Sequence, residues 1–438
     1  MQLGCRRQML SHPFCIIYKK QKEAIMAYRY DEDLEFLRSM QSTDLDTLVE
    51  ILTGKDKTNT TENLSQQSGY KAHHPNHIKY VDEIMEELQR FGGNTFVNYL
   101  IRFGEGVLYK EILCDVCDNL RVNYNKNSSV ERIEGELFAK IVEKAIEKMD
   151  SKELEQIVKE INKGTNINSA LGFGKQAALV AMQGAIKAGG FASYQLALIV
   201  ANAVAKQVLG RGLTFAANAG LTRAMSVFAG PIGWVITGLW TGVDLAGPAY
   251  RITIPAVIEV AYLRLRHSNT YNVFLTGETG VGKDTIFHIL KEGKFIKDWH
   301  TTTNLEYETF DACRKTLKVI NTGGQRENDD ENIDARRGLE SNTKYVYVFR
   351  ADDYLTNEKV KEQVQMDLQN HKELCDRKGY TLKIIGTHKD KCLERGISQT
   401  QIQNLSSEIS KNGECQILDL TQFSGEQRQQ ELCDFITD

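Results

Sequence analysis

The sequence predicts a multidomain α plus α/β protein, and three observations carry that prediction. From about Tyr28 to Asn162, apolar residues recur three and four apart, the spacing of helices with one buried face. From about Gly164 to Leu263, Gly and Ala become abundant and charges become rare, which predicts apolar helices following the N-terminal, all-helical stretch. After His267, strand-like and helix-like runs alternate to the C-terminus. That alternation predicts a mostly parallel sheet with helices on both faces.

A chain of 438 residues suggests two or three domains. A net charge of −4 argues against broad nucleic-acid binding. Nine cysteines, mostly single, fit a reducing cytoplasm better than a disulfide scaffold.

Residues 1–25 contain basic side chains and a short, broken apolar run without a signal-peptide core. They are expected to be a disordered leader, with Met26 as a plausible initiator. Residues 26–163 are the expected helical domain. Its helical runs are DLEFLRSM, DLDTLVEIL, IKYVDEIMEELQRFGG, NYLIRF, VLYKEILCDVCDNL, IEGELFAKIVEKAIEKM and ELEQIVKEI. Thr43 with Asp46, Ser128 with Glu131, and Asp150 with Glu153 have the spacing of N-terminal caps. The polar stretch Lys55 to Gly69 reads as a mobile loop. Cys114 and Cys117 form a C-x-x-C, with His73, His74 and His77 upstream. A zinc knuckle needs a tight turn at such a pair. This one sits inside a helical pattern, so two core cysteines are expected, with the histidines on an exposed loop.

Residues 164–266 form the Gly/Ala-rich part of that module. Ala224 to Val243 contains no charged residue, and about 20 apolar residues can cross a bilayer core. Trp234, Trp240 and Arg223 would suit an interface. Gly184 with Ala188 and Ala201 with Ala205 permit close helix approach. A buried hairpin reads the same way, since Pro231 and the glycines weaken a spanning helix. Insertion in, or association with, the inner membrane therefore stands beside burial. The MAYRYDEDLEFL start, the QRFGGNTFVNYLIRFGEGVLYKEILCDVCDNLRV core and the GPAYRITIPAVIEVAYLR exit together resemble the YaaW family of bacterial proteins, from about Met26 to Arg264. The resemblance implies bacterial origin and a helical domain that includes the apolar segment. It implies no activity.

Residues 267–438 are the expected α/β domain. Strands are expected over Tyr271–Thr276, Tyr307–Ala312, Leu317–Asn321, Tyr345–Arg350, Leu382–Gly386 and Gln416–Leu420. The first ends in GETGVGKDT, comprising Gly277, Glu278, Thr279, Gly280, Val281, Gly282, Lys283, Asp284 and Thr285. G-x-x-x-x-G-K between a strand and a helix is the pattern of a phosphate-binding loop, and so of a P-loop nucleoside triphosphatase. Glycines let the backbone wrap an anion, the helix start points N–H groups at it, and Lys283 supplies a charge to the β and γ phosphates. Asp284 stands where Ser or Thr normally holds Mg²⁺. Either Thr285 takes that role or Asp284 ligates the ion itself.

The later motifs look like those of the small Ras/Arf-type GTPases. The run KVINTGGQ resembles a second switch. There Gly324 would meet the γ-phosphate, Gln325 would orient the attacking water, and Asn321 replaces the aspartate that supports Mg²⁺. HTTTNLEYETF resembles a first switch, with Thr302, or next Thr303, closing on the metal and phosphate. IIGTHKD resembles the base-reading motif in a T-H-x-D variant, assigning Thr387, His388, Lys389 and Asp390 to guanine. DLTQFSGE resembles the last guanine motif, with Thr421 and Gln422 beside the base. The charged run between Gln325 and Ser341 reads as a solvated face, or as a switch surface ordered by nucleotide.

These resemblances imply GTP or GDP and Mg²⁺ as ligands, and slow hydrolysis. The expected protein is a GTP-dependent switch controlling the helical module, in a stress or defence role. Its output would reach a protein partner or activator through the switches, a membrane, or another copy of itself in a homo-oligomer. The competing readings are a nucleotide-binding interaction protein without turnover, a membrane-acting GTPase assembly, and a P-loop kinase.

Overall fold

The computed structural model describes residues 28–54, 63–94, 107–150, 190–213, 250–296, 306–313, 315–322 and 343–438, together with 152, 184, 232–235 and 237–238. The expected leader with Met26, the runs NYLIRF and ELEQIVKEI, and most of Ala224–Val243 lie outside the described residues. The chain divides into two compact units, the second being Asn269–Asp438.

The first unit is helical: α1 (Ser42–Thr53), α2 (Ser68–His73), α3 (Val81–Asn94), α4 (Tyr109–Asn119), α5 (Val130–Lys148), α6 (Gly190–Leu209) and α7 (Tyr250–Ser268). A helix buried on most sides needs neighbours on most sides and partners for the charges it carries. That is the position of α7, which is buried along most of its length and touches α1, α3, α4, α5 and α6. Ala197, Ala201 and Ala205 of α6 are buried. Tyr194 of α6 stacks on Tyr262 of α7 at 6.0 Å between ring centroids.

The two arginines near the end of α7 are paired. Arg264 meets Glu134 at 3.0 Å, and the Tyr109 hydroxyl donates to the same carboxylate at 2.7 Å. Arg266 meets Asp44 at 3.0 Å. Glu259 differs. Its side chain is buried, and its Oε1 has no hydrogen-bond partner among the described residues. Burial pushes its carboxyl up to about 8, against the opposing pull of the Arg266 charge.

Several local expectations need correction. The N-cap of α1 is Gln41, in a reciprocal box with Asp44, so Thr43 lies inside the helix. The N-cap of α5 is Ser129, one residue beyond Ser128. Part of the Lys55–Gly69 stretch is helical: a 3-10 turn covers Leu64–Gln66, and α2 begins at Ser68. His77 is not on an exposed loop. It is buried, its Nε2 lies 2.8 Å from Asp46, and its Nδ1 faces the Tyr80 hydroxyl. Cys117 is buried and Cys114 half-buried on α4, both as free thiols. Among the described residues, no group of three or more His, Cys, Asp or Glu side chains could hold a metal, and no helix is long and apolar enough to cross a membrane.

The second unit is built on a six-stranded sheet in the order β2-β3-β1-β4-β5-β6. The strands are β1 (Thr270–Thr276), β2 (Glu306–Ala312), β3 (Lys315–Asn321), β4 (Lys344–Arg350), β5 (Thr381–Thr387) and β6 (Glu414–Ile417). β2 and β3 form an antiparallel hairpin, and every other pairing is parallel. The helices are α8 (Lys283–Glu292), α9 (Ala351–Thr356), α10 (Glu358–Lys378), α11 (Lys389–Glu394), α12 (Gln399–Ile409) and α13 (Glu426–Thr437).

Side chains on a strand alternate between faces, and here both faces are covered. Val273 and Leu275 pack with Val346 and Val348 against Ile286 and Leu290 of α8 and Ile436 of α13. Phe274, Tyr345 and Tyr347 pack on the other side with Leu368 of α10 and Leu405 of α12. The expected strands are all present. The last ends three residues early, with Leu420 entering a 3-10 turn over Leu420–Gln422. A disulfide joins Cys313, at the β2–β3 turn, to Cys433 of α13. Scattered single cysteines gave no sign of that pairing.

Candidate site at the strand ends

β1 has β3 on one side and β4 on the other. The chain therefore winds away from β1 in both directions, leaving a crevice beyond its carboxyl end, where ligands of open α/β sheets bind. The segment Gly277–Gly282 occupies that position. Gly277, Gly280 and Gly282 have φ of +144°, +76° and +100°, which side chains with a Cβ rarely adopt. At Gly277 the constraint is also steric, because a Cβ there would lie 2.2 Å from the Val348 carbonyl oxygen.

Lys283 opens α8 and folds back over the segment that precedes it. Its Nζ donates to the Gly277 carbonyl at 2.9 Å and to the Glu278 carbonyl at 2.8 Å. The side chain is buried, and burial pushes its ammonium down to about 8, while Asp284 and Glu278 pull the other way. The result is a shielded cation inside a curl of backbone, suited to an anion such as a phosphate.

Asp284 follows in the first turn of α8. Asn321 ends β3, paired in register with Leu275 of β1, and donates from Nδ2 to Asp284 Oδ1 at 2.7 Å. The next residue fixes the strand end, since both the Thr322 backbone N–H and its hydroxyl donate to the Leu275 carbonyl. Asn321 is fully buried, and its Oδ1 has no partner among the described residues. Asp284, Asn321 and Thr285 offer hard oxygen donors of the kind Mg²⁺ takes. The buried orphan oxygen of Asn321 makes this part of the site fit a small cation.

The loop after β5 closes onto the first. The Thr387 hydroxyl lies 2.6 Å from the Val281 carbonyl and 3.2 Å from that of Phe349. A Cβ on Gly282 would sit 3.4 Å from Thr387 Cγ2 and 3.3 Å from Leu420 Cδ1. The strand ends of β1 and β5 and the turn after β6 thus share one small volume. His388 has a left-handed backbone (φ +59°), and its Nδ1 lies 2.8 Å from the Thr387 hydroxyl. Burial holds its imidazole below the ordinary range, and the Arg350 charge adds to that effect. The Lys389 N–H donates to Leu418, and Asp390 lies in the first turn of α11. Thr421 and Gln422 both close on Asp419, at 2.5 and 2.6 Å.

Residues not anticipated from the sequence brace this end of the site. Arg350 meets the buried Asp352 at 2.8 Å, and Arg395 meets it at 3.2 Å. Those pairs tie the end of β4 to the residue after α11. The signal was the run Arg350-Ala351-Asp352-Asp353 directly at a strand end. Thr302, Thr303, Gly324 and Gln325 lie outside the described residues, whereas residues 306–310 of the first expected switch lie in β2 and residues 318–322 of the second run along β3 and just past its end.

Comparison with known proteins gives matches for the helical part. Residues 28–59 match a domain of unknown function, DUF3944, and residues 76–258 match the ubiquinol-cytochrome C chaperone family model. A UPF0174 protein of Helicobacter pylori is 51% identical over 243 residues, covering 55% of this chain and 94% of that protein. A second from the same species is 43% identical, over 47% of this chain and 97% of the relative. The UPF0174 protein YaaW of Escherichia coli is 31% identical, over 56% of this chain and 98% of the relative. Relatives at this identity, spanned along almost their whole length, show that the chain belongs to the bacterial UPF0174 family.

Proposed function

We propose that the α/β unit binds GTP and GDP, hydrolyses GTP slowly, and uses the difference to control the helical unit. One observation carries this reading: the contact of Thr387 with Val281, which brings the T-H-K-D loop onto the phosphate-type loop. A ring held by the first loop and a phosphate tail held by the second would then belong to one ligand.

Asp390 is the residue assigned to the base. Guanine presents N1–H and an exocyclic amine as neighbouring donors, and a carboxylate accepts from both. Adenine offers an acceptor at N1 and no amine at C2, so it leaves that carboxylate unpaired. Lys283 and the N–H groups at the start of α8 would take the phosphates. Asp284, Asn321 and Thr285 would hold Mg²⁺, which neutralises phosphate charge when bound. Gln325 and Thr302 are the residues assigned to the attacking water and to closure.

The slow rate follows from class and composition, since even unaltered metal contacts in this class give slow intrinsic turnover. The likeness of residues 76–258 to a chaperone family supports a protein partner as the output of the helical unit. Calorimetric titration with GTP, GDP and ATP, with and without Mg²⁺, tests the proposal, and hydrolysis is compared with Lys283→Ala. Binding of GDP without hydrolysis would leave an interaction module. ATP binding tighter than GTP would point to a kinase-like site, and no nucleotide binding would end the reading.

A further inference from the structure

We infer that Asp284 and Asn321 act as one divalent-cation site in which the usual charge is transposed from strand to helix. The inference rests on the nucleotide reading above and concerns how this chain meets the metal that accompanies the phosphates.

Phosphate loops of this kind ordinarily place a neutral hydroxyl after the lysine and a carboxylate on the opposing strand. Here each position carries the other's electrostatic type: Asp284 follows Lys283, and Asn321 ends β3. Taken singly, the two replacements look like two losses. The geometry makes them one exchange, because the side chains bond to each other at 2.7 Å. The pair carries one negative charge and one neutral oxygen donor in either arrangement.

The orientation of the amide follows from chemistry. An ionised carboxylate only accepts, so the Asn321 edge facing Asp284 must be its NH₂. The carbonyl oxygen is then the atom left over. It is fully buried and has no partner among the described residues. Leaving such an acceptor unpaired is costly, so its persistence points to a ligand that it meets in the working protein. The double Thr322 bond to Leu275 fixes the backbone beside it, so the amide cannot relieve the cost by moving with its strand. An amide oxygen and a carboxylate are hard donors, which select Mg²⁺ or Mn²⁺ over thiophilic metals.

The test uses the full chain, GDP, and Mn²⁺ followed by electron paramagnetic resonance, with GDP affinity in EDTA measured alongside. The wild type should take up Mn²⁺ with GDP, and Mn²⁺ should tighten GDP about tenfold or more. Asp284→Ser leaves only neutral donors and should lose about 10- to 100-fold in Mn²⁺ affinity, and with it the tightening of GDP by Mn²⁺. Adding Asn321→Asp to Asp284→Ser returns the charge to the strand and should restore Mn²⁺ uptake. Asp284→Asn, which keeps size and loses charge, should behave as Asp284→Ser does. It serves as the decisive variant if the double variant does not fold. Wild-type Mn²⁺ affinity in Asp284→Ser or Asp284→Asn overturns the inference, as does a folded double variant no better than Asp284→Ser. GDP binding that ignores Mn²⁺ removes this inference alone, whereas no GDP binding in EDTA or in Mn²⁺ removes the nucleotide reading and this inference with it.

Discussion

The Thr387 hydroxyl donates to the Val281 carbonyl oxygen across 2.6 Å, although the two residues lie 106 positions apart in sequence. A hydroxyl has one proton. With that proton on Val281, the oxygen must accept from His388, 2.8 Å away, so Nδ1 of His388 carries hydrogen and Nε2 carries the lone pair. One bond therefore couples the loop after β1 to the loop after β5 and sets a tautomer. Thr387→Val keeps the branched shape and removes the bond. A buried carbonyl then loses its partner, at about 1–3 kcal/mol. Thermal or urea unfolding of the α/β unit should register that loss, and calorimetry should show weaker GDP binding, because the two loops no longer share a register.

Gly277 and Gly280 differ in what a Cβ would meet. Both have positive φ, but a Cβ on Gly280 meets nothing within 4 Å, while one on Gly277 meets the Val348 carbonyl at 2.2 Å. Gly280→Ala should cost about 1–2 kcal/mol, the left-handed penalty alone. Gly277→Ala should cost more, because a strand carbonyl cannot move without breaking the β1–β4 pairing. Circular dichroism melts of the two variants should fall in that order, and equal losses would refute the steric part.

Asp390→Ala tests the assignment of the base. If the carboxylate reads N1–H and the amine, its removal should weaken GDP by two orders of magnitude or more and leave ADP almost unchanged. Competition binding with both nucleotides reads the ratio. An unaltered ratio would exclude Asp390 from recognition and leave the T-H-K-D loop with a bracing role only.

How much of this was legible beforehand depended on the range of the interaction. The strand positions followed from local alternation, and the helix at Lys283 from its glycines and spacing. The disulfide between Cys313 and Cys433 and the Asp284–Asn321 bond did not, because each joins residues whose local patterns carry no trace of the other. His77 failed for a related reason. Three histidines among polar residues look solvated, and only the fold brings Asp46 to the third of them. In the helical unit, the uncharged run Ala224–Val243 was plain in the sequence. What covers such a run was not, since a bilayer and neighbouring helices satisfy the same pattern.

Helix α7 yields a pH prediction. Glu259 is buried on α7 with an unpartnered oxygen, beside Arg266, whose charge is engaged with Asp44. Unfolded, its carboxyl ionises near 4.5, and folded it holds its proton to about 8. Between those values the folded chain binds more protons than the unfolded one, so this group's contribution to stability falls as pH rises from about 4.5 to about 8. Below and above that window it adds no slope. Glu259→Gln keeps the shape without the charge. It should flatten the dependence and gain stability over the wild type toward pH 8, by roughly 3–5 kcal/mol at most. Glu134, raised to about 7 by burial against the pull of Arg264, adds slope of the same sign that Glu259→Gln leaves in place. Urea unfolding of wild type and variant from pH 5 to 8.5 measures the difference. A constant offset across that range would mean that Glu259 keeps one protonation state throughout, and that a partner stabilises its charge.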